Sequence, residues 1–358
     1  MATNGNLPDR SRARFPGISS RAYEHPADRT ALVALRSLTG FDAVLRRLAG
    51  MFRERSLRLM FLATSVRVGE QQFRDLHDMA RDAAYTLDLP EAPEVYVVQD
   101  PRVTAMTLGI DKPFIVLSTG LLDLMDAEEL RHVVGHEVGH ILSGHTVYRT
   151  MLYHLMRLTS RLMWLPVGYW GLRAIIAALE EWQRKSELSC DRAGLLVGQD
   201  PDAALRALMK SAGGSHVREM NVEAFLAQAA DYDAAGDLRD GALKLLNLEG
   251  QTSPFAALRA AELRRWATGG EYQRILGGDY PRRQDDPSAS VFDEAKATAS
   301  SYAESARRSA DPLLTLVRDL ADDAASAGEK LFARFGRGSD RGNEGDDGAG
   351  GTGGAGKS

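Results

Sequence analysis

The segment His-Glu-Val-Gly-His at residues 136–140 constrains the fold more tightly than any other part of this 358-residue chain. Histidines four apart on an α-helix lie one above the other, so His136 and His140 can present two ring nitrogens to one tetrahedral metal. Glu137 sits one step round the helix, where its carboxylate reaches past the metal to a bound water, the placement a general base needs. Zinc would lower the pKa of that water and polarise the scissile carbonyl, while Glu137 takes the proton and returns it to the leaving amine. With eight histidines and 20 glutamates in the chain, such a match arises by chance in roughly one chain in a hundred. Its surroundings weigh against chance. Asp126-Ala127-Glu128-Glu129 is a capping box with an acidic first turn, and Val133, Val134, Val138, Ile141 and Leu142 make the helix apolar. A buried helix carrying His and Glu requires partners for them, which a metal supplies. The helix is expected to run from residue 127 to 148.

Two further histidines belong to the same stretch. His132 shares the stripe one turn earlier, but three ligands in line would diverge from one centre, so it reads as a packed or capping residue. His145 falls on a different face and reads as structural. A third ligand must come from elsewhere, and Glu187 with Asp191 offers two carboxylates on one helical face. Glu187 can bind zinc while Asp191 accepts the second ring N–H of a ligating histidine and fixes its tautomer. Without residues 136–140 the pair would read as solvated surface carboxylates.

Composition narrows the alternatives. Cys190 is the only cysteine, so an intramolecular disulfide and a cysteine-built zinc cluster are excluded, and His and carboxylates must hold one zinc ion per chain. A net charge of −5 with an ordinary apolar fraction gives no sign of a nucleic-acid partner. Residues 1–17 have arginines with no apolar run after them, so a secretory signal is not expected and the cytoplasm is the simplest address.

Along the chain, residues 1–29 read as an extended or loosely docked arm. Residues 30–69 contain an amphipathic helical segment in which Leu38, Phe41, Leu45, Leu48 and Phe52 recur at helical spacing among arginines. That helix either packs on the core or lies on a membrane. A metallopeptidase domain is expected over 70–275: a helix at 70–87, three short β-runs at 95–98, 103–108 and 114–117 forming a small antiparallel sheet, the metal-site helix, and helices through 275. Residues 151–179 are the most apolar stretch, but Arg157, Arg161, Arg173 and Pro166 interrupt it, leaving a buried helical hairpin or a membrane-embedded one. Peripheral membrane contact through 30–52 or 151–179 therefore stays open. A helical extension over 276–335 and a tail at 336–358 follow; the tail has ten glycines and too little apolar surface to fold.

Taken together, Glu137 between two histidines and a downstream Glu-x-x-x-Asp make the chain resemble the gluzincin metallopeptidases, and more narrowly the family of the heat-shock protease HtpX and the CAAX prenyl endopeptidase. Residues 95–100, Ala105-Met106-Thr107-Leu108-Gly109 and residues 113–122 resemble that family's lead-in to the zinc helix, and residues 186–193 resemble its third-ligand helix. The resemblance implies an α+β, mostly helical, zincin-like fold, with a small sheet packed against the active-site helix and a second helix carrying the third ligand. It also implies substrate held extended along an edge strand at Phe114, Ile115, Val116, Leu117 and Ser118, by main-chain hydrogen bonds with weak side-chain selectivity. Thr104 stands where the family commonly has Asn, and Ser253-Pro254 where His-Pro is common. The oxyanion-stabilising duty of that His is therefore assigned to Arg259 or another donor.

The function expected is a zinc metalloendopeptidase acting on extended or misfolded protein or peptide, its zinc-bound water activated by Glu137. A non-catalytic zinc-containing binding or chaperone-like module is the alternative. Glu137 argues against it, since a structural site needs no general base. The oligomeric state is left open.

Overall fold

The computed structural model describes residues 12–37, 54–162, 169–234 and 255–286. Most of the amphipathic segment 30–52, the Pro166 break, Ser253-Pro254, the bulk of the 276–335 extension and the 336–358 tail lie outside these residues.

Eleven α-helices are described: α1 (Pro26–Ser37), α2 (Glu54–Thr64), α3 (Arg74–Thr86), α4 (Thr119–Leu124), α5 (Ala127–Leu142), α6 (Thr146–Leu162), α7 (Tyr169–Gly198), α8 (Pro201–Gly213), α9 (Val222–Ala234), α10 (Ala256–Thr268) and α11 (Glu271–Leu276). Four strands, β1 (Val66–Arg67), β2 (Glu94–Val98), β3 (Ala105–Leu108) and β4 (Phe114–Ser118), form one sheet in the order β1-β2-β4-β3.

The sheet is mixed rather than antiparallel, because β2 and β4 run parallel while β3 pairs with β4 antiparallel. Three short β-runs in succession read as a small antiparallel sheet. The decisive property is instead that β4 is apolar at four successive positions and buried at all five, as befits a strand covered on both faces. It therefore takes the middle. Ile115 and Leu117 face the main core with Val95 and Val97, whereas Phe114 and Val116 face a smaller cluster with Tyr96, Leu57 and Phe61, the alternation a pleated strand imposes. Phe114 to Ser118 are thus not an edge. Among the described strands β1 and β3 are the edges, and β3 lies against α5 and α6.

Helix α5 begins as its capping box dictates. Asp126 Oδ1 accepts from the backbone N–H groups of Glu128 and Glu129, each at 3.0 Å, and Asp126 N donates to Glu129 Oε2 at 2.9 Å. It ends earlier than expected, at Leu142, because Gly144 adopts φ +67° and turns the chain before α6 starts. This turn matters for the site, since it folds His145 back onto His140 instead of carrying it onward along a helix.

The N-terminal arm is not loosely docked. Residues 12–25 form no α-helix and include a turn at Pro16–Gly17 and a 3₁₀ turn at Ser20–Ala22, but Phe15, Ile18 and Tyr23 are at most 1% exposed and belong to the core formed by α3, α5, α7 and the sheet. Their isolated spacing has no helical or strand period, so their burial could not be read from the pattern of residues. In the 151–179 region, Leu152, Leu155, Ile176 and Leu179 pack with Leu35 of α1 and Trp182 as a second buried cluster. Among the described residues no helix is long and apolar enough to cross a membrane.

Candidate metal and active centre

Helices α5 and α7 touch more intimately than side chains normally permit, and glycines are the reason. A Cβ at Gly135 would stand 2.5 Å from Val197 Cβ, one at Gly139 would stand 2.5 Å from Ala193 Cβ, and one at Gly194 would stand 2.6 Å from the carbonyl oxygen of His132. Two of these glycines flank His136 directly in sequence or sit within the 136–140 segment. The seam brings Glu187 and Asp191 of α7 up to His136 and His140 of α5, all four of them buried.

Three side chains converge there. His136 Nε2 and His140 Nε2 are 3.1 Å apart. Glu187 Oε2 lies 3.3 Å from His136 Nε2, and its Oε1 lies 3.4 Å from His140 Nε2. Ligands of a tetrahedral zinc at about 2.0–2.1 Å are separated from one another by about 3.3 Å. The His136–His140 spacing is close to one edge of such a tetrahedron, while Glu187 meets the two rings through different oxygens, within reach of a shared ion.

The outer ring nitrogens point the same way. His136 Nδ1 is 3.0 Å from Asp191 Oδ1, and Asp191 is itself gripped by Arg259, whose Nε donates to Oδ2 at 2.8 Å and Nη2 to Oδ1 at 2.5 Å. His140 Nδ1 is 3.2 Å from His145 Nδ1. With both Nδ1 atoms turned outward, both Nε2 atoms face one spot beside a carboxylate, a group that takes up a cation there, either a proton on His136 or a metal. In this structure Arg149 brings its guanidinium there: Nη1 touches His140 Nε2 and lies 3.2 Å from Glu187 Oε1. A divalent metal suits the same donors.

The electrostatics agree. Burial works against the imidazolium of His136, but the carboxylates of Glu187 and Asp191 outweigh it and raise its pKa to about 9. Burial and the Arg149 guanidinium together hold His140 well below the usual histidine value. Burial opposes ionisation of Glu187, yet His136, His140 and Arg149 keep it well below the usual carboxylate range. Asp191 is likewise held low by Arg259 and then His136 against its burial.

Glu137 also offers an oxygen within 4.8 Å of both histidines, so two carboxylates compete for the ligand's part. Their other contacts separate them. Glu187 meets both Nε2 atoms, whereas Glu137 Oε2 accepts from Thr107 Oγ1 of β3 at 2.5 Å and lies 3.9 Å from Arg149 Nη2. Neither Thr107 nor Arg149 was foreseen from the sequence; both reach the site only through tertiary packing. Arg259, expected near the reacting carbonyl, is engaged by Asp191, with Nη1 at 3.5 Å from Glu187 Oε2. Of the strand residues 114–118, none joins this cluster of side chains.

Comparison with known proteins carries the same message. The family model described as Peptidase family M48 matches residues 70–267. The chain belongs to peptidase family M48. This metallopeptidase is 37% identical, over 73% of its own length and 77% of the relative's, to the plastoglobule-localized metallopeptidase 48, chloroplastic, of Arabidopsis thaliana. A protease HtpX homolog of Streptococcus gordonii is 40% identical over 21% of this chain and 25% of its own. One from Thermoanaerobacter pseudethanolicus is 27% identical over 42% of this chain and 60% of its own. No solved structure matches the chain significantly. As an M48 metalloprotease it requires a metal and acts on protein or peptide.

Proposed function

We propose that this M48 peptidase is a zinc-dependent endopeptidase with a zincin-like centre, in which His136, His140 and Glu187 hold the metal and Glu137 is the general base. The observation that supports the reading most is the convergence of two imidazole Nε2 atoms and the Glu187 carboxylate within 3.1–3.4 Å, with a second carboxylate beside them. Zinc, when bound, supplies Lewis acidity and a water acidic enough to be deprotonated near neutral pH.

The chain's own residues do the rest. Glu137 accepts the proton of the attacking water and delivers it to the nitrogen of the leaving amine, so the peptide C–N bond breaks as a new C–O bond persists. The hydroxyl of Thr107 donates to Glu137 Oε2 and holds the carboxylate in one rotamer. Arg149 Nη2 lies 3.9 Å from Glu137 Oε2, whereas the Arg259 guanidinium is engaged by Asp191. We assign Arg149 to the developing oxyanion and Arg259 to the orientation of Asp191.

Strand β3 supports an extended substrate. Ser118 N donates to Thr104 O at 3.0 Å, and antiparallel alternation then turns the backbone polar groups of Ala105 and Thr107 away from β4. A peptide adding to that side would lie next to Glu137, which suits locally unfolded protein segments.

The test pairs zinc content with casein cleavage for wild type and Glu137→Gln. Zinc retained with activity reduced at least about a thousandfold is the expected result, a general base plus its positioning being worth several kcal/mol. A wild type without zinc, or a Gln variant as active as wild type, would sink the mechanism.

A further inference from the structure

Each of the two metal-facing histidines passes its outer N–H toward a buried carboxylate, but by different routes. His136 reaches Asp191 directly. His140 reaches His145, and behind His145 stands Asp28, from the first turn of α1, with Oδ2 3.3 Å from His145 Nε2. Asp28 is completely buried. Its Oδ2 also accepts from Ser189 Oγ at 2.6 Å, and Ser189 Oγ in turn accepts from His25 N at 2.9 Å. Its Oδ1 has no hydrogen-bond partner among the described residues.

A buried carboxylate costs free energy unless something nearby uses its charge. The protonation pattern shows what uses it. A metal at His140 Nε2 requires the proton on Nδ1, which donates to His145 Nδ1; that nitrogen must then be an acceptor, so His145 carries its own proton on Nε2, facing Asp28. Only this arrangement satisfies all three groups at once. Cys190 Sγ lies 3.6 Å from His145 Nδ1; burial, Glu187 and Asp28 keep it a neutral thiol, so it brings no charge to compete with the His140 N–H for that nitrogen. Trp182 packs edge-on against the His145 ring at 5.3 Å and fixes its plane.

We propose that Asp28, acting through His145, is a positioning residue of the metal centre: it selects the tautomer of His140, orients its ring and adds negative charge that strengthens metal binding. The inference rests on His140 being a ligand. It also extends the site to a part of the chain well before the region that the M48 family model covers, residues 70–267.

The test measures the zinc dissociation constant by competition with a chromophoric chelator, together with the visible spectrum of the cobalt-substituted protein. Asp28→Asn keeps an oxygen acceptor but loses the charge, and His145→Leu cuts the path. Each is expected to weaken zinc binding about 10- to 100-fold and to change the cobalt bands. His145→Gln preserves an acceptor toward His140 and a donor toward Asp28, so it is expected to bind zinc more tightly than His145→Leu. That comparison decides the matter should Asp28→Asn fail to fold. Unchanged dissociation constants and cobalt spectra in Asp28→Asn and His145→Leu, or equal affinities for the Gln and Leu variants, overturn the proposal. A wild type that binds no zinc overturns the reading of the site itself, and the two failures are thereby distinct.

Discussion

Three buried histidines on one helix have been pushed in opposite directions. Burial, only partly offset by Asp191, lowers His132 to about 4, and burial with Arg149 lowers His140, while Glu187 and Asp191 overcome burial to raise His136 to about 9. An unfolded histidine titrates near 6.5. His132 and His140 therefore contribute stability that is present above about pH 6.5 and lost as the pH falls, toward about 4 for His132. His136 contributes stability that is full below about 6.5 and lost as the pH rises through about 9. Metal-free protein should accordingly melt highest near pH 6.5, by a few degrees on either side. Added zinc should move the optimum upward, because zinc needs His136 without its proton. Melting curves in chelator and in zinc across pH 4–9 check this; a melting point climbing steadily to pH 9 in chelator would show that no proton is held at His136. At this scale the pairing of His136 with His140 on one helical face was legible, since a four-residue helical spacing is a local property. Thr107, Arg149 and Asp28 were not, because nothing in their own neighbourhoods marks them.

Between elements, the seam of α5 and α7 sets the reach of Glu187. A methyl group at residue 194 would stand 2.6 Å from His132 O, a backbone atom that can yield only if the helices part. Gly194→Ala is expected to cost about 1–3 kcal/mol and to weaken zinc binding with it. Gly69→Ala, with nothing within 4 Å of the added carbon, should stay within about 0.5 kcal/mol. Urea midpoints and zinc titrations of the two variants give the comparison, and equal behaviour would mean that the close approach is not a constraint. The capping box of α5 and the type of most helices could be read from the sequence because caps and amphipathic periods are written in adjacent residues. Strand order could not: β4 takes the centre through burial on both faces, a property of what packs above and below it. Glycines 135, 139 and 194 were equally silent, being informative only once two helices are known to cross.

Across the whole molecule, the two ends of the described chain are tied together over the core. Ser19 N donates to Pro281 O at 3.0 Å, Arg283 N donates to Gly17 O at 2.8 Å, and Asp88 accepts from both Gly17 N at 2.8 Å and Arg283 Nη2 at 2.6 Å. Phe15, inside this clasp, is 1% exposed. Phe15→Ala should cost about 3–5 kcal/mol, lowering Tm by on the order of 10 °C; a change below one degree would mean that the arm contributes no packing. Such an arm reads in sequence as a loop because its buried residues obey no period.

The clasp and the centre share one further consequence. The groups that surround the proposed metal position come from residues 28, 136–149, 187–191 and 259, so no prefix of the chain shorter than 259 residues contains them all. During translation Asp28 waits for its histidines, the histidines for Glu187, and Asp191 for Arg259. The peptidase site is in this way incomplete until about the first 259 residues have emerged, so it cannot act on its own chain before then.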